Sequence, residues 1–374
     1  MGPATVTLRV VAALDSFKGS LDSLAAGDAV RRGVLSVDPS ASVQVFPVAD
    51  GGEGTIAAVA ATVPSELVPV SCVDTLGRTI VASYLAVADG TSIIEAARTV
   101  GLDMLDVVDS TLPPRASSTG LGDQLARALT DSPGRVLVGL GGTACTDGGT
   151  GMLRALGADI DSETANPLWG FGGLDATTLP DLSRVHVLSD VTNPLLGPSG
   201  AARTFGPQKG ATAEQVEHLE DQMVRWADAL ERSGREVAAH PGAGAAGGLG
   251  AALIACGARL TSGFDEVARL TGIARAIADT DLVITGEGSL DAQTDRGKAP
   301  AGVASLARGA GAIVVGLGGR VDRPASNAFD AVFPIHGQPR PLIDALDPDL
   351  TAAELSASAA EIIRLLVTSR RPGP

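Results

Sequence analysis

Aromatic residues make up only 3% of the 374-residue sequence, and cysteine occurs three times, at positions 72, 145 and 256. The first shortage means that any core must be built from Ala, Val, Leu and Ile, with backbones packed closely through the 47 glycines. The second excludes a disulfide framework or a cysteine metal site, because the three are odd in number and far apart. Clustered positive charge is also missing: no Lys/Arg run exceeds a pair such as Arg31-Arg32 or Arg370-Arg371, and 28 basic against 43 acidic residues leave a formal charge of −15. Nucleic acid and anionic membrane surfaces are therefore poor partners. No apolar run approaches the ~18 residues of a membrane helix. The apolar run ending before Asp15 holds five residues, too few for a signal-peptide core, and a reducing cytoplasm is the expected setting. There is no Gly-x-x-x-x-Gly-Lys-Ser/Thr phosphate loop and no Gly-x-Ser-x-Gly nucleophile elbow. The histidines at 186, 218, 240 and 336 lack metal-site spacing and read as structural or solvated.

What is present is an α/β pattern long enough for two domains. Leu8 to Leu14, centred on Val10 and Val11, reads as a buried parallel strand. Leu21 to Leu35 has apolar residues at helical spacing, Ser42 to Val48 is a second strand, and a helix follows from Thr55 to about Ala61. That alternation implies a parallel sheet with right-handed crossovers. From about Val68 to Ile94 short alternating segments suit antiparallel hairpins better. Arg135 to Leu140 and Val185 to Leu188 then read as buried strands entering Gly- or Asp-rich loops. Asp281 to Thr285 and Ala312 to Gly316 look parallel again. The expected organisation is a parallel three-layer domain made from both chain ends, 1–70 and 265–374, with a second mixed α/β domain, 71–264, inserted. Linkers are expected near Val68 to Asp74 and near Ala258 to Asp265.

Candidate chemistry collects at strand ends, where open parallel sheets bind ligands. Asp15-Ser16-Phe17-Lys18 offers an acid for a hydroxyl proton or a metal and a cation for phosphate, although Asp15 or Ser16 could simply cap the next helix. Asp50-Gly51-Gly52-Glu53-Gly54-Thr55 joins two carboxylates to glycines that let a backbone approach an anion. Acids beside an anion need a mediating cation, and Mg²⁺ is the natural one. Gly139 to Gly151, containing Gly141, Gly142 and Thr143, is a candidate phosphate or carboxylate cradle, with Asp147 a further acid. Asp190 and Asn193 follow the strand Val185 to Leu188 as hydroxyl or metal contacts, and Lys209 adds a cationic loop. Gly286, Glu287, Gly288 and Asp291 form another acidic strand end, followed by Lys298. Gly242 to Gly247 matches Gly-x-Gly-x-x-Gly literally, but His240-Pro241 precedes it, so it reads as a flexible hinge or phosphate-approach loop.

Taken in order, seven strings resemble the type I glycerate kinase family over nearly the whole chain. They are Asp-Ser-Phe-Lys-Gly-Ser from 15, Ala-Asp-Gly-Gly-Glu-Gly-Thr from 49, Gly-Leu-Gly-Gly-Thr-Ala from 139, Asp-Val-Thr-Asn-Pro-Leu from 190, Phe-Gly-Pro-Gln-Lys-Gly-Ala from 205, Gly-Ala-Ala-Gly-Gly-Leu-Gly from 244, and Thr-Gly-Glu-Gly-Ser-Leu-Asp from 285 with Gly-Lys-Ala-Pro at 297. The resemblance implies two α/β domains, one Rossmann-like, with the active site in the cleft between them. It implies transfer of the γ-phosphate of ATP, with Mg²⁺, to a hydroxyl of D-glycerate, most often the 2-hydroxyl, giving 2-phosphoglycerate; a 3-phosphoglycerate product is the alternative. On that basis Asp190 orients or deprotonates the hydroxyl, and Asp50 and Glu53 bind Mg²⁺ or substrate. Lys18, Lys209 and Lys298 screen charge, and Asp15 and Asp291 could exchange roles with the other acids. Ser16, Gly51, Gly52, Gly54, Gly141, Gly142, Thr143, Asn193, Gly286, Glu287 and Gly288 complete the substrate and phosphate contacts. Arg78 and Arg98 are further candidates as carboxylate clamps. The chain departs from the family pattern at Leu14, where Pro is usual, and at Thr146, where Asn is usual. A monomer or homodimer is expected.

Two other classes compete. A dinucleotide oxidoreductase would carry Gly-x-Gly-x-x-Gly after the first strand, which Asp15-Ser16-Phe17-Lys18-Gly19 is not. A two-domain small-anion binding protein would account for the glycines but not for so many acids at strand ends.

Overall fold

The computed structural model describes residues 7–291, 299–322 and 328–369. Its strands, in chain order, are β1 (Arg9–Leu14), β2 (Ser42–Val45), β3 (Ser65–Val73), β4 (Thr79–Val87), β5 (Ser92–Glu95), β6 (Val136–Gly139), β7 (Ile160–Asp161), β8 (Gly173–Leu174), β9 (Val185–Leu188), β10 (Arg259–Thr261), β11 (Leu282–Leu290), β12 (Ile313–Val321) and β13 (Ala331–Pro334). The chain divides into two compact units: Met1–Asp50, Ala57–Thr62 and Phe264–Pro374 form one, Gly51–Ile56 and Val63–Gly263 the other. It is a mixed α/β protein with helices and parallel sheets, as the alternation of the sequence implies.

The first unit holds a five-stranded parallel sheet in the order β13-β12-β11-β1-β2. From β1 the chain moves to β2 on one side, and from β11 to β12 on the other, so the direction of winding reverses between β1 and β11. Such a switch point opens a crevice at the carboxyl ends of the two strands. Helices on both faces explain why β1 is apolar from Val10 onward: Val10, Ala12 and Leu14 join one buried cluster, Val11 and Ala13 the other. On the first face, helix Ser23–Val37 is capped by Asp22, whose carboxylate accepts from the Ala25 N–H at 2.7 Å. It packs so closely on helix Pro348–Ser369 that a Cβ on Gly33 would fall 2.0 Å from the Ser356 carbonyl.

β11 and β12 run farther than their apolar cores predict. Gly286 to Gly288, expected in a turn, lie in β11, where Gly286 pairs with Leu317 and Glu287 with Gly318. A Cβ on Gly286 would lie 2.0 Å from the Leu317 carbonyl. The glycines therefore let two strand ends approach, and Glu287 is delivered by regular strand.

The second unit contains a six-stranded sheet, β10-β9-β6-β5-β4-β3, antiparallel from β3 to β5 and parallel from β5 to β10, with the small β7-β8 pair beside it. The segment Val68 to Asp74, expected as a linker, is mostly strand β3. Helix Ala213–Glu231, started by a Thr212/Gln215 capping box, buries Trp226, whose indole N–H donates to the Gly148 carbonyl at 2.8 Å. Gly242 to Gly250 is packed rather than hinge-like. Ala246, Gly247 and Gly248 are three consecutive left-handed residues, and a Cβ on Gly247 would meet the Cys145 carbonyl at 2.4 Å. Only glycine could make that approach, which accounts for the string the sequence shows there.

Candidate active site

The switch point of the first unit opens into a cavity of ≈ 420 Å³. Asp15, Ser16, Lys18 and Ser20 line it from the loop after β1, Asp50 from beyond β2, and Glu287, Gly288 and Ser289 from the end of β11. Gly319 and Arg320 of β12, His336 after β13, and Leu342, Leu346 and Thr351 complete the lining. Asp15 is fixed at both ends: its N–H donates to the Gly286 carbonyl at 2.8 Å, and its carboxylate accepts from the Ser16 N–H at 2.6 Å. Burial, and then the negative charge of Asp50, push the Asp15 carboxyl up to about 7; Glu287 adds to this, while the Ser16 hydrogen bond and Lys18 oppose it. An acid raised toward neutrality among other carboxylates makes this cavity the candidate site.

Of the residues singled out in the sequence, Asp15, Ser16, Lys18, Asp50, Glu287 and Gly288 thus share one cavity. Gly286 precedes Glu287 in β11, and Asp291 follows that strand, neither of them lining the cavity. Lys298 lies outside the described residues. Ser20 and Ser289 stand in the strings from 15 and 285 without a role assigned to them, and His336 reads from the sequence as structural or solvated; Arg320 and Thr351 were not anticipated, because nothing local distinguishes them.

The remaining sites belong to the second unit. Gly51 and Gly54 adopt φ of +89° and +90°, and Glu53 between them is exposed. A Cβ on Gly139 would sit 2.0 Å from the Gly51 carbonyl, and one on Gly141 2.9 Å from the Gly52 Cα. The two glycine blocks therefore pack backbone against backbone. Substituting Gly51 by Ala is expected to lower stability by about 3 kcal/mol or more, since its Cβ would be 2.5 Å from that of Leu188 as well as strained. Gly54→Ala meets nothing within 4 Å and carries only the backbone strain, about 1–2 kcal/mol. Urea denaturation of the two variants measures the difference; equal losses would disprove the packing account.

Lys209 is 4% exposed and donates to the Cys145 carbonyl at 2.7 Å and the Thr143 hydroxyl at 3.2 Å. Burial pushes its ammonium below the ordinary lysine value, with Cys145 and Asp147 opposing. Its charge thus acts within the loop that holds Gly142 and Thr143. Asp147, wholly buried, accepts from the N–H and hydroxyl of Ser118, both at 2.7 Å, and from the N–H groups of Gly149 and Gly151. Beside it Thr146 has a buried hydroxyl without a hydrogen-bond partner among the described residues. Asp190 lines a separate groove of ≈ 300 Å³ with Ser189, Thr192 and Ser262. Asn193 ties its own loop, donating to the Ser199 carbonyl at 2.7 Å. Arg78 and Arg98 already face carboxylates, Asp74 at 2.5 Å and Glu95 at 2.6 Å. Glu95 also accepts from the Ile56 N–H at 2.7 Å, which secures the turn that carries Gly51 to Gly54.

Comparison with known proteins gives the family. The model of the glycerate kinase family matches residues 10–367. A Bacillus subtilis glycerate kinase is 36% identical over 373 residues, 94% of this chain and 97% of that protein. An Escherichia coli K12 glycerate 2-kinase is 36% identical over 346 residues, 88% of this chain and 90% of that protein. A solved structure assigned to glycerate kinase 2 of Salmonella typhimurium LT2 superposes with a TM-score of 0.84 at 34% identity, covering 98% of this chain and all of that one.

Proposed function

This chain belongs to the glycerate kinase family, and we propose that it transfers the γ-phosphoryl group of ATP to the 2-hydroxyl of D-glycerate, giving 2-phosphoglycerate and ADP. The observation that carries the reading is Asp15, held at the switch point beside Asp50 and Glu287 and pushed up to about 7. The relative named a glycerate 2-kinase supports the choice of hydroxyl.

Phosphoryl transfer asks a protein mainly to position groups and neutralise charge. The glycerate oxygen bonds to the γ-phosphorus as the bond to the bridging oxygen breaks. ADP departs with that electron pair, and the hydroxyl proton passes to the Asp15 carboxylate. A base works best when its pKa lies near the operating pH, and burial, the largest cause of the Asp15 shift, moves it in that direction. Lys18 lies exposed at the same cavity and offsets phosphate charge.

Among the described residues no cluster of three or more His, Cys, Asp or Glu would hold a metal unaided. Kinase magnesium does not need one, since it is held by one or two carboxylates together with substrate phosphates. Asp50 and Glu287 fit that mode, because their charges crowd Asp15 in a way that a cation relieves. Bound there, Mg²⁺ would neutralise charge on the phosphates.

Incubation with ATP, Mg²⁺ and D-glycerate, followed by ³¹P and ¹³C NMR, is expected to show ADP and a phosphate on carbon 2. No ADP above background would sink the kinase reading. Phosphate on carbon 3 would overturn the choice of hydroxyl alone.

A further inference from the structure

The cavity of the first unit combines two kinds of lining. Asp15, Asp50 and Glu287 supply acids, whereas Phe17, Leu342 and Leu346 supply an apolar surface. Phe17 is buried, Leu346 packs toward Gly19, and Leu342 is 73% exposed. Glycerate, a small polyhydroxy acid without an apolar face, would leave such a surface uncovered. A purine ring would cover it, since base-binding sites are mostly apolar with a few placed polar groups.

His336 is the placed polar group. It follows β13, and the preceding Ile335 N–H donates to the Gly318 carbonyl at 2.8 Å, which fixes its position against β12. Its Nδ1 lies 2.5 Å from the Glu354 carboxylate, whose other oxygen is held by Arg340. A carboxylate only accepts, so Nδ1 donates to Glu354; phosphate oxygens also only accept, so a contact to them requires the imidazolium, whose Nε2–H is the donor left for whatever fills the cavity. The His336 and Glu354 side chains are only 15% and 14% exposed. An imidazole oriented through a carboxylate in this way is set in place before a ligand arrives.

We infer that this cavity is the nucleotide site, with Phe17, Leu342 and Leu346 covering the adenine and His336, held by Glu354 and Arg340, contacting the phosphates. The choice of a nucleotide rests on the kinase reading, but the test uses equilibrium binding and no turnover. Titration calorimetry with ADP and Mg²⁺, and ligand-observed NMR with adenosine, are run on the full chain. His336→Ala is expected to weaken ADP binding about 10- to 100-fold, the loss of a charge-assisted hydrogen bond, and to leave adenosine binding unchanged. Leu342→Glu, at a position 73% exposed, is expected to weaken both ligands. Unchanged ADP affinity in either variant, an equal loss of adenosine in His336→Ala, or no adenosine binding to the unmodified chain would each overturn the assignment. A chain that binds ADP and adenosine as expected but does not phosphorylate glycerate would uphold the site and sink the kinase reading. One that phosphorylates glycerate, with ADP affinity indifferent to both substitutions, would do the reverse.

Discussion

Asn in place of Asp15 is expected to raise the melting temperature of the metal- and nucleotide-free protein at pH 8 while lowering kcat by a hundredfold or more. The two effects share one cause. Burial and the charges of Asp50 and Glu287 raise the folded-state pKa of Asp15 to about 7 from an ordinary 3.8. The folded state therefore holds the proton more tightly than the unfolded chain does. The group's contribution to stability is fully present below about 3.8 and is lost as pH rises through about 7. Each pKa unit corresponds to about 1.4 kcal/mol, so ionised Asp15 destabilises the fold by roughly 2–4 kcal/mol, the lower figure allowing for partial solvent access. Asn is neutral at every pH and removes that repulsion, for a rise of roughly 5–10 °C in Tm. It cannot accept the glycerate proton, and general-base catalysis is typically worth about 10²–10⁴-fold. Calorimetry at pH 4 and pH 8 separates the terms: the stabilisation should be present at pH 8 and absent at pH 4. A lower Tm at pH 8 together with near-normal turnover would show that Asp15 is a structural residue. In the unmodified enzyme, kcat/KM should rise with pH over the range in which Asp15 loses its proton.

The sequence made the parallel core legible because strands buried on both faces, such as Val10 to Leu14, are apolar without interruption. It also marked Asp15, Asp50 and Glu287, because acids beside glycines at strand ends are unusual enough to stand out. It could not show that Glu287 lies within a strand, since Gly286 and Gly288 are turn residues by local preference and strand residues only because β12 presents its backbone to them. His336 was hidden for a different reason. Its partner Glu354 is eighteen positions away on a helix, and no local spacing announces a pair made by tertiary packing. The glycines of the second unit misled in the opposite direction. Loops that read as anion cradles around Gly51, Gly141 and Gly247 owe much of their glycine to close approach between backbones. An open cradle and a packed loop call for the same residue, and one sequence does not separate them.

Asp147 illustrates that ambiguity and carries the second large expectation. Next to Gly148 and Gly149 it reads as a possible phosphate-site acid, yet its carboxylate accepts four hydrogen bonds from Ser118, Gly149 and Gly151 and is 0% exposed. Those donors belong to the start of helix Thr119–Asp131 and to the first turn of helix Thr150–Ala155, so one side chain fastens two helix ends. Its backbone carbonyl also accepts from the hydroxyl of Thr150 at 2.7 Å. Ala at this position would leave three buried N–H groups without acceptors, and breaking a buried charged network typically costs about 3–5 kcal/mol. Asp147→Ala should therefore lower Tm by roughly 10 °C, read by calorimetry at neutral pH. Asp147→Asn, which keeps one oxygen but turns an amide donor toward other donors, should fall between the two. An unchanged Tm in Asp147→Ala with turnover abolished would return Asp147 to the catalytic acids. The expected loss of stability instead assigns it to holding the loop that carries Thr143, with the proton-accepting role left to Asp15.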